Sequence, residues 1–257
     1  MVHSTAVISK KATIGSNVTI GPFCVVGDNV NIGDGCELKS HVVIDGHTDI
    51  GEDNVFFPFA AIGQQTQDLK FKSDPTYLKI GHRNTFREST TIHRSTVAET
   101  PTTIGNDNNF LAYAHVAHDC VVGSHCIFSN NATIGGHVLV EDHVIISGLS
   151  GVHQFCRLGA HSLIGGCTKI VQDVAPFIIV DGSPATVRSI NQVGLQRRGY
   201  SDQDIAYLRR AYKRLFLKKN TNLAVSLADL KAAESANNPH VQHLIKFLDT
   251  AERGVIR

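Results

Sequence analysis

The stretch Val116-Ala-His-Asp-Cys-Val-Val122-Gly-Ser-His-Cys-Ile-Phe128-Ser-Asn-Asn-Ala-Thr-Ile134-Gly decides the fold of this chain. A large apolar residue returns at every sixth position, and glycine directly follows two of these four residues. The same register begins at Ile8 and runs, with two interruptions, to Ile170. A six-residue aliphatic–glycine period is the signature of a parallel β-helix built from hexapeptides, and we predict that fold.

Three hexapeptides make one triangular coil of 18 residues, and coils stack at the strand spacing of about 4.8 Å. Residues 18 positions apart therefore lie above one another, and their side chains can be placed from numbering alone. The glycine after the apolar residue is expected to permit the tight corners between flat faces. The period itself does not give the hand of the helix. Parallel crossovers between strands are normally right-handed in proteins.

A second position of the repeat, two residues before the apolar one, must be small because it also points into the narrow prism. Five of the six cysteines occupy this position, namely Cys24, Cys36, Cys120, Cys126 and Cys156. We interpret them as core residues rather than metal ligands, nucleophiles or disulfide partners. Cys167 lies outside this position.

Two segments interrupt the repeat, at residues 64–79 and 94–103. The first is polar and has Asp68 and Asp74 where the period requires apolar residues. Because the register resumes in phase after each segment, both are expected to leave the coil as loops. Long insertions on one face of a solenoid often line a binding site, and tolerated surface loops are the alternative.

The period ends after Pro176, and helical patterns follow. Ser201-Asp-Gln-Asp204 resembles a capping box with aspartate in its fourth place, and apolar residues continue at helical spacing through Ile205, Leu208, Tyr212 and Leu215. Further helices are predicted near 221–236 and 240–251. We therefore predict an all-β solenoid over residues 1–190 and a C-terminal α-helical domain over 191–257, which could cap the open end of the solenoid.

The composition, with 257 residues and 42% hydrophobic content, is ample for a packed core. No apolar run is long enough to span a bilayer, which predicts no transmembrane segment. The repeat starts within the first few residues and leaves no room for a signal peptide. We therefore expect a cytoplasmic protein.

Basic residues are unevenly distributed, although the net charge is only +1. Eight arginines and lysines lie between positions 197 and 219, against Asp202 and Asp204. Such a patch suits an acidic partner, namely nucleotide phosphates, an acidic carrier protein or nucleic acid. A solvated helix face is the alternative, and the absence of any nucleic-acid motif predicts no nucleic-acid partner.

A group of histidines converges on one corner of the predicted coil. His118 and Gln154 are 36 positions apart, so they stand in one column with Gly136 between them. Four further polar residues flank this column: His115, Asp119, His137 and His153. Imidazoles beside a carboxylate and exposed glycine amides have the parts for general-base catalysis. Unrelated polar residues on an outward ridge are the alternative.

A second column consists of His125, His143 and His161, each 18 positions from the next. Their side chains are expected to point outward. Imidazoles one strand spacing apart disfavour simultaneous protonation. A surface ladder and a role beside a bound acyl chain are both open.

Longer motifs extend over almost the whole chain: Gly21-Pro-Phe-Cys24, Leu38-Lys-Ser-His-Val-Val-Ile-Asp-Gly-His-Thr48, Gln67-Asp-Leu-Lys70, Thr91-Ile-His-Arg94, His115-Val-Ala-His-Asp-Cys120, Asn130-Asn-Ala-Thr-Ile-Gly-Gly-His137, Val152-His-Gln-Phe-Cys156 and Arg197-Arg-Gly199. In these motifs the sequence resembles the acyl-acyl-carrier-protein–UDP-N-acetylglucosamine O-acyltransferases, a hexapeptide-repeat family of lipid A biosynthesis. The resemblance implies a left-handed β-helix and a homotrimer with active sites between neighbouring subunits.

The resemblance also implies a mechanism. His118 is the general base for the glucosamine 3-hydroxyl, Asp119 orients it, and the Gly136 amide is the oxyanion donor. The hydroxyl attacks the thioester of a 3-hydroxyacyl chain on the phosphopantetheine of acyl carrier protein directly. Neither a metal nor a separate cofactor is implied.

Substrate-binding positions carry over from the family in the same way. They are Asp68 and Lys70 for the sugar nucleotide, His93, His115, His137, His153, Gln154 and His161 in the substrate cleft, and Asn191, Arg197 and Arg198 at the nucleotide end. Gly166 falls where the family sets acyl length, and glycine implies a longer chain. Two positions depart from the family pattern: Val193 replaces an expected acidic residue near the ribose, and Ser183-Pro184 replaces a polar pair.

Four other functions remain open from the sequence. The related N-acyltransferase of the same pathway carries an additional N-terminal domain before its repeat, which argues against it here. A zinc hydrolase of the γ-carbonic anhydrase kind would use His115, His118 and His137. A non-catalytic scaffold and an acetyl-CoA-dependent acetyltransferase are the remaining two. A 3-amino sugar is the alternative acceptor to the 3-hydroxyl.

Overall fold

The computed structural model describes residues 1–72, 75–217 and 222–257 of the chain. Its main body is a left-handed parallel β-helix with three sheets of nine, eight and ten strands. Up to Gly151–Val152, each strand pairs with the strand three positions later in the chain, one full coil away. The ten-stranded sheet ends differently, because Leu163–Ile164 pairs with Ile178–Asp181 and that strand pairs with Thr186–Ile190. The fold predicted from the period is confirmed.

Most strands are two to four residues long, because each must turn at a corner of the prism. The nine-stranded sheet contains Val7–Ile8, Val25–Val26, Val43–Ile44, Ala61–Gln64, Thr91–His93, His115–Val116, Thr133–Ile134, Gly151–Val152 and Lys169–Ile170. The eight-stranded sheet contains Thr13–Ile14, Val30–Ile32, His47–Ile50, Tyr77–Ile80, Thr102–Ile104, Val121–Val122, Leu139–Val140 and Arg157–Leu158. The ten-stranded sheet contains Thr19–Ile20, Glu37–Leu38, Val55–Phe56, Thr85–Phe86, Asn109–Phe110, Ile127–Phe128, Ile145–Ile146, Leu163–Ile164, Ile178–Asp181 and Thr186–Ile190.

The strand register locates both interruptions of the repeat. His115 pairs with Thr133, 18 positions later, whereas Ala61 pairs with Thr91, 30 positions later, and Thr91 with His115, 24 positions later. The first loop therefore inserts two hexapeptides and the second inserts one. The loops leave the coil between Gln64 and Tyr77 and between His93 and Thr102; positions 73 and 74 of the first lie outside the described residues.

The buried core is formed by the apolar residues at the repeat positions predicted to point inward. The rings of Phe56, Phe86, Phe110 and Phe128 form a continuous stack with centroids 4.7–5.0 Å apart. The five cysteines of the small inward slot are buried, as predicted, and Cys167 is exposed. Burial raises the pKa of the Cys120 thiol to about 12, so it stays protonated.

The second inward position of the repeat, two residues before the apolar one, also holds polar residues where they can form hydrogen bonds with each other. Asn54 and Asn84 are fully buried, and the Asn54 side-chain oxygen accepts hydrogen bonds from the Asn84 amide at 2.9 Å and its side-chain nitrogen at 3.0 Å. Asn108 extends the ladder by donating its amide to Asn84. Because each amide group bonds the next coil, these asparagines satisfy one another inside the prism.

The expected reason for the glycines is wrong. The left-handed corner residues are mostly not glycine; Asp119, His125 and His137, for example, have φ of 58°, 59° and 60°. A Cβ on Gly33 would lie 2.7 Å from the backbone of Gly51 in the next coil. Where glycine follows the apolar residue as at Gly33, it is favoured because the neighbouring coil approaches closely there, rather than because of its φ.

In the described residues after the solenoid there are four α-helices: α1 (Gln192–Arg197), α2 (Asp202–Tyr212), α3 (Leu223–Lys231) and α4 (Pro239–Asp249). The Ser201 hydroxyl accepts a hydrogen bond from the Asp204 amide, which confirms the predicted cap of α2. A π-helical turn, Lys213–Leu217, extends α2, and a short 3₁₀ turn, Glu234–Asn237, separates α3 from α4. Helix α1 was not predicted, and Lys218, Lys219 and the predicted start of a helix at Thr221 lie outside the described residues.

The helical region packs back onto the solenoid. Strand Thr186–Ile190 runs antiparallel to Ile178–Asp181 and leads directly into α1. Arg157 donates to Asp173 and to the carbonyl of Phe247 at the end of α4, and His243 pairs with Glu141 at 2.7 Å. The boundary at residue 190 stays a prediction. In the described part of the chain, no helix has both the length and the apolar character needed to cross a membrane.

Candidate active site

An open cavity of about 640 Å³ lies against the nine-stranded sheet, beneath the first loop. Six of the predicted site residues line it: Asp68, Lys70, His93, His115, His118 and Gln154. The remaining lining residues are Gln67, Leu69, Ala117, Thr133, Ile134 and Gly135. The structure therefore brings the first loop and the histidine corner together, as the binding-site alternative for that loop requires.

His118 and Asp119 form a hydrogen-bonded pair at the edge of this cavity. The distance from His118 Nδ1 to Asp119 Oδ2 is 2.7 Å, and both side chains are largely buried. Two hydrogen bonds from Thr96, one from its amide at 2.9 Å and one from its hydroxyl at 2.6 Å, fix the carboxylate. Burial opposes ionisation of Asp119, but the bonds from Thr96 and His118 outweigh it and lower its pKa.

An ionised Asp119 determines the tautomer of His118. Because the carboxylate can only accept, Nδ1 of the neutral imidazole carries the proton and Nε2 is left with a free lone pair. His137 approaches the same carboxylate, with its Nε2 3.5 Å from Asp119 Oδ2. The arrangement can take a proton at His118 Nε2 and hold the resulting cation beside a negative charge.

Gly136 lies directly against the His118 ring. A Cβ at this position would overlap the imidazole. Within the described residues, the neighbouring amides of Gly135 and His137 donate to Val152 and His118, whereas no acceptor bonds the Gly136 amide. This donor beside the proton acceptor is what an oxyanion site requires.

His93 and His115 form an uncharged wall of the cavity. Their rings meet edge to face with centroids 4.8 Å apart, and Thr91 Oγ1 holds His115 Nδ1 at 2.7 Å. Burial, followed by the neighbouring His115 and His118, lowers the pKa of His93 to about 4. Burial also lowers the pKa of His115. Both rings are therefore neutral hydrogen-bonding groups at neutral pH.

A metal ion could be held by one group among the described residues. The ligand atoms of His118, Asp119 and His137 all lie within 4.8 Å of one another. Two imidazoles and a carboxylate are a donor set that suits zinc. His115, which the zinc-hydrolase alternative requires, is not part of this group, and its Nδ1 pairs with Thr91.

Other predicted site residues lie outside the cavity. His153 is exposed and faces the Arg253 guanidinium at 3.5 Å. Gly166 is exposed, and a Cβ there would meet only the Gly148 carbonyl, at an ordinary 3.5 Å. Arg197 is exposed on α1, and Arg198 is partly buried. The predicted roles of His153 in the cleft, of Gly166 at the acyl end and of the two arginines at the nucleotide end stay predictions.

The second histidine column is present as a stack. The His125 and His143 rings are 4.8 Å apart, and the His143 and His161 rings 4.6 Å apart. The column is not wholly a surface ladder, because its end at His161 lies beneath the Tyr200 hydroxyl, 3.0 Å from Nε2. Asn191 is also buried there, with 3% of its surface exposed.

Sequence reasoning missed several contributors to the site. Thr91 stands one coil from His115 once the six-residue insertion is counted, so its register could have identified it. Thr96 and the residues flanking Asp68 lie on loops outside the repeat, and numbering cannot place them. The contact of Tyr200 with His161 joins two regions of different periodicity and has no sequence signal.

Comparisons with known proteins show which family this chain resembles over its whole length. The family model described as UDP N-acetylglucosamine O-acyltransferase, domain 2, matches residues 173–256, and the bacterial transferase hexapeptide model matches 11–46 and 101–136. The structure of LpxA from Acinetobacter baumannii is 44% identical, with 100% of this chain and 99% of that chain covered and a TM-score of 0.95. LpxA from Bacteroides fragilis, a UDP-N-acetylglucosamine acyltransferase, is 37% identical with both chains fully covered and a TM-score of 0.96. The UDP-N-acetylglucosamine O-acyltransferase of Moraxella catarrhalis is 41% identical over 100% of this chain and 99% of that chain, with a TM-score of 0.94.

Proposed function

This chain belongs to the UDP-N-acetylglucosamine O-acyltransferase family, and from that membership we propose that it carries out the first step of lipid A biosynthesis. The reaction transfers a 3-hydroxyacyl chain from acyl carrier protein to the glucosamine 3-hydroxyl of UDP-N-acetylglucosamine. The observation that carries the proposal is the cavity lined by His118, which is paired with Asp119, and by Asp68 and Lys70 of the first loop.

The chemical step is a direct attack. His118 Nε2 takes the proton of the 3-hydroxyl as its oxygen bonds to the thioester carbon. The carbonyl oxygen becomes an oxyanion beside the Gly136 amide. The carbon–sulfur bond then breaks, and the imidazolium returns the proton to the departing phosphopantetheine thiolate. An acyl-enzyme is unnecessary, and the protonated thiol of buried Cys120 is unsuited to form one.

Positioning supplies the remaining acceleration. Lys70 and Asp68 bind the sugar nucleotide from the loop, while His93, His115, His137 and Gln154 donate and accept hydrogen bonds in the cleft. His153 is a further substrate-binding residue, and Gly166 lies at the acyl end, where glycine leaves room for a long chain. At the nucleotide end, the guanidinium groups of Arg197 and Arg198 fork onto phosphate oxygens.

We further propose a cytoplasmic homotrimer. The cavity is open and a single prism has shallow faces, so a second subunit is needed to close a binding site. One corner of the solenoid exposes Phe23, Phe59, Tyr113 and Leu149 by 55–66%. Apolar side chains aligned in this way suit burial against another copy. Analytical ultracentrifugation should give three times the chain mass, whereas a monomer would contradict this assembly.

Transfer from a panel of 3-hydroxyacyl carrier proteins tests the function directly. The wild type should acylate UDP-N-acetylglucosamine, prefer the longer chains of the panel and need no added metal. The 3-amino analogue should be a poorer acceptor, and preference for it would correct the acceptor. No transfer with any chain, accompanied by stoichiometric zinc bound to His118, Asp119 and His137, would favour the zinc-hydrolase alternative.

A further inference from the structure

The stacked column of His125, His143 and His161 is not used in the proton transfer proposed above, yet it contacts the chain segment that carries the nucleotide-end arginines. We propose that the two column residues nearest the helical region, His143 and His161, hold segment 191–200 in place and that His161 is a positioning residue for recognition of the nucleoside diphosphate by Arg197 and Arg198. The inference rests on the proposed function, because it assumes that these arginines bind the nucleotide.

Three hydrogen bonds attach segment 191–200 to the column. The Asn191 side-chain nitrogen donates to the His161 carbonyl at 2.9 Å, and Arg198 donates to the His143 carbonyl at 3.4 Å. The Tyr200 hydroxyl meets His161 Nε2 at 3.0 Å. The segment is therefore held at its start and twice near its end by two adjacent coils.

The corner geometry makes these carbonyl groups available. His143 and His161 have φ of 61° and 58°, and their amides donate to Ser124 and Asp142 of the preceding coil. In the described structure no amide of the following coil bonds their carbonyl oxygens. The oxygens therefore accept from the helical region, where a buried carbonyl needs a partner.

The His161 ring is enclosed by aromatic groups. It stacks between His143 at 4.6 Å and Phe177 at 5.7 Å, and Tyr200 meets it edge-on at 5.1 Å. Burial, with smaller contributions from the neighbouring His143 and Arg198, lowers the pKa of His161 to about 3. A neutral ring in this setting is a fixed hydrogen-bond partner and is unsuited to proton transfer with the substrate.

Segment 191–200 needs such support because it is short. Helix α1 has six residues, and the Asn191 side chain caps it by accepting from the Gly194 amide. Arg198 bonds the Gly194 carbonyl at 3.3 Å, so the cap and the arginine share one turn. Bidentate binding of phosphate requires a fixed guanidinium plane. Loss of the attachment at His161 should therefore weaken phosphate binding without touching the catalytic pair.

Calorimetric titration with UDP tests this inference with matched variants. His161→Phe keeps the ring stack and removes the bond to Tyr200, and Tyr200→Phe removes the same bond from the other side. Each should weaken UDP binding about five- to tenfold, the size of one net hydrogen bond. Because both remove one contact, the double variant should bind no more weakly than either single variant. His125→Ala, in the same column but away from the segment, should bind UDP as the wild type does.

Steady-state kinetics separates positioning from a general structural defect. In His161→Phe, KM for UDP-N-acetylglucosamine should rise by the same factor, with kcat within about twofold and KM for the acyl carrier protein unchanged. Wild-type UDP affinity in His161→Phe, or additive losses in the double variant, would overturn the inference while leaving the transferase function intact. If the wild type transfers no acyl chain, that result would contradict the proposed function itself.

Discussion

Two corners of one solenoid carry polar columns on the same backbone position and use them differently. At the site corner, Asp119 and His137 have φ of 58° and 60° and face His118 beside the cavity. At the other corner, His143 and His161 have φ of 61° and 58°, but their rings stack on each other beneath Tyr200. The repeat therefore places polar side chains at the same backbone position in both corners. The chain segment that covers each corner determines what these side chains can do.

The carboxylates at the two corners differ in the same way. Asp119 accepts from His118 at 2.7 Å and from Thr96 on the second loop. Asp107 lies 4.0 Å from His125, but Arg83 engages both of its oxygens at 2.8 and 2.9 Å. An aspartate bound to a histidine orients a base, whereas one bound to arginine is a surface ion pair of little energetic weight.

The largest effect should come from filling the space between the proposed base, His118, and the proposed oxyanion donor, Gly136. Gly136→Ala places a methyl group against the His118 ring, which must move away from the reacting atoms. We expect kcat to fall about 10³-fold, because base and oxyanion donor are both misplaced. Gly151→Ala is the control, since a Cβ there meets nothing within 4 Å. Equal activity in both variants would contradict the geometry.

Replacing the two aspartates compares the corners directly. Asp119→Asn removes the charge that stabilises the His118 cation and should lower kcat about 10²-fold. Asp107→Asn breaks an exposed ion pair with Arg83 and should leave kcat within about twofold. Transfer rates at saturating substrate measure both, and similar losses in the two variants would mean that the corners are not functionally distinct.

A smaller effect should appear in the pH dependence of stability. The pKa of His161 is about 3 in the folded protein and about 6.5 in an unfolded chain. The unfolded state therefore binds the extra proton first, and the stability contributed by neutral His161 is complete above pH ~6.5 and is lost as the pH falls toward ~3. The thermal midpoint should drop less between pH 7 and pH 5 in His161→Phe than in the wild type. His125→Phe should keep the wild-type drop, and an unchanged drop in His161→Phe would show that this ring is not held neutral.

Much of the fold and part of the site are predictable from the sequence, because the period places residues 18 positions apart above one another in neighbouring coils. The alignment of His118, Gly136 and Gln154 and the stack of His125 on His143 follow from intervals of 18 residues. The sequence predicts that the glycines serve the corners, whereas the structure shows that they allow close approach of the next coil. The six-residue period gives the positions of the glycines but not the distance between neighbouring backbones.

The remaining features depend on contacts between segments that do not share the period. Thr96 reaches Asp119 from a loop, and Tyr200 reaches His161 from the helical region. Helix α1 is short, contains Gly194 and lacks acidic residues in its first turn, so its local signal is weak. These contacts arise from tertiary packing, which spacing along the chain does not encode.

The most direct test compares His118→Ala with His125→Ala, one histidine from each corner, by single-turnover acyl transfer from 3-hydroxyacyl carrier protein to UDP-N-acetylglucosamine. Loss of a general base should slow His118→Ala by about 10²–10⁴-fold, while His125→Ala should keep the wild-type rate. Circular dichroism and the thermal midpoint should show both variants folded. A folded His118→Ala that transfers at the wild-type rate would contradict the assignment of this corner as the catalytic centre.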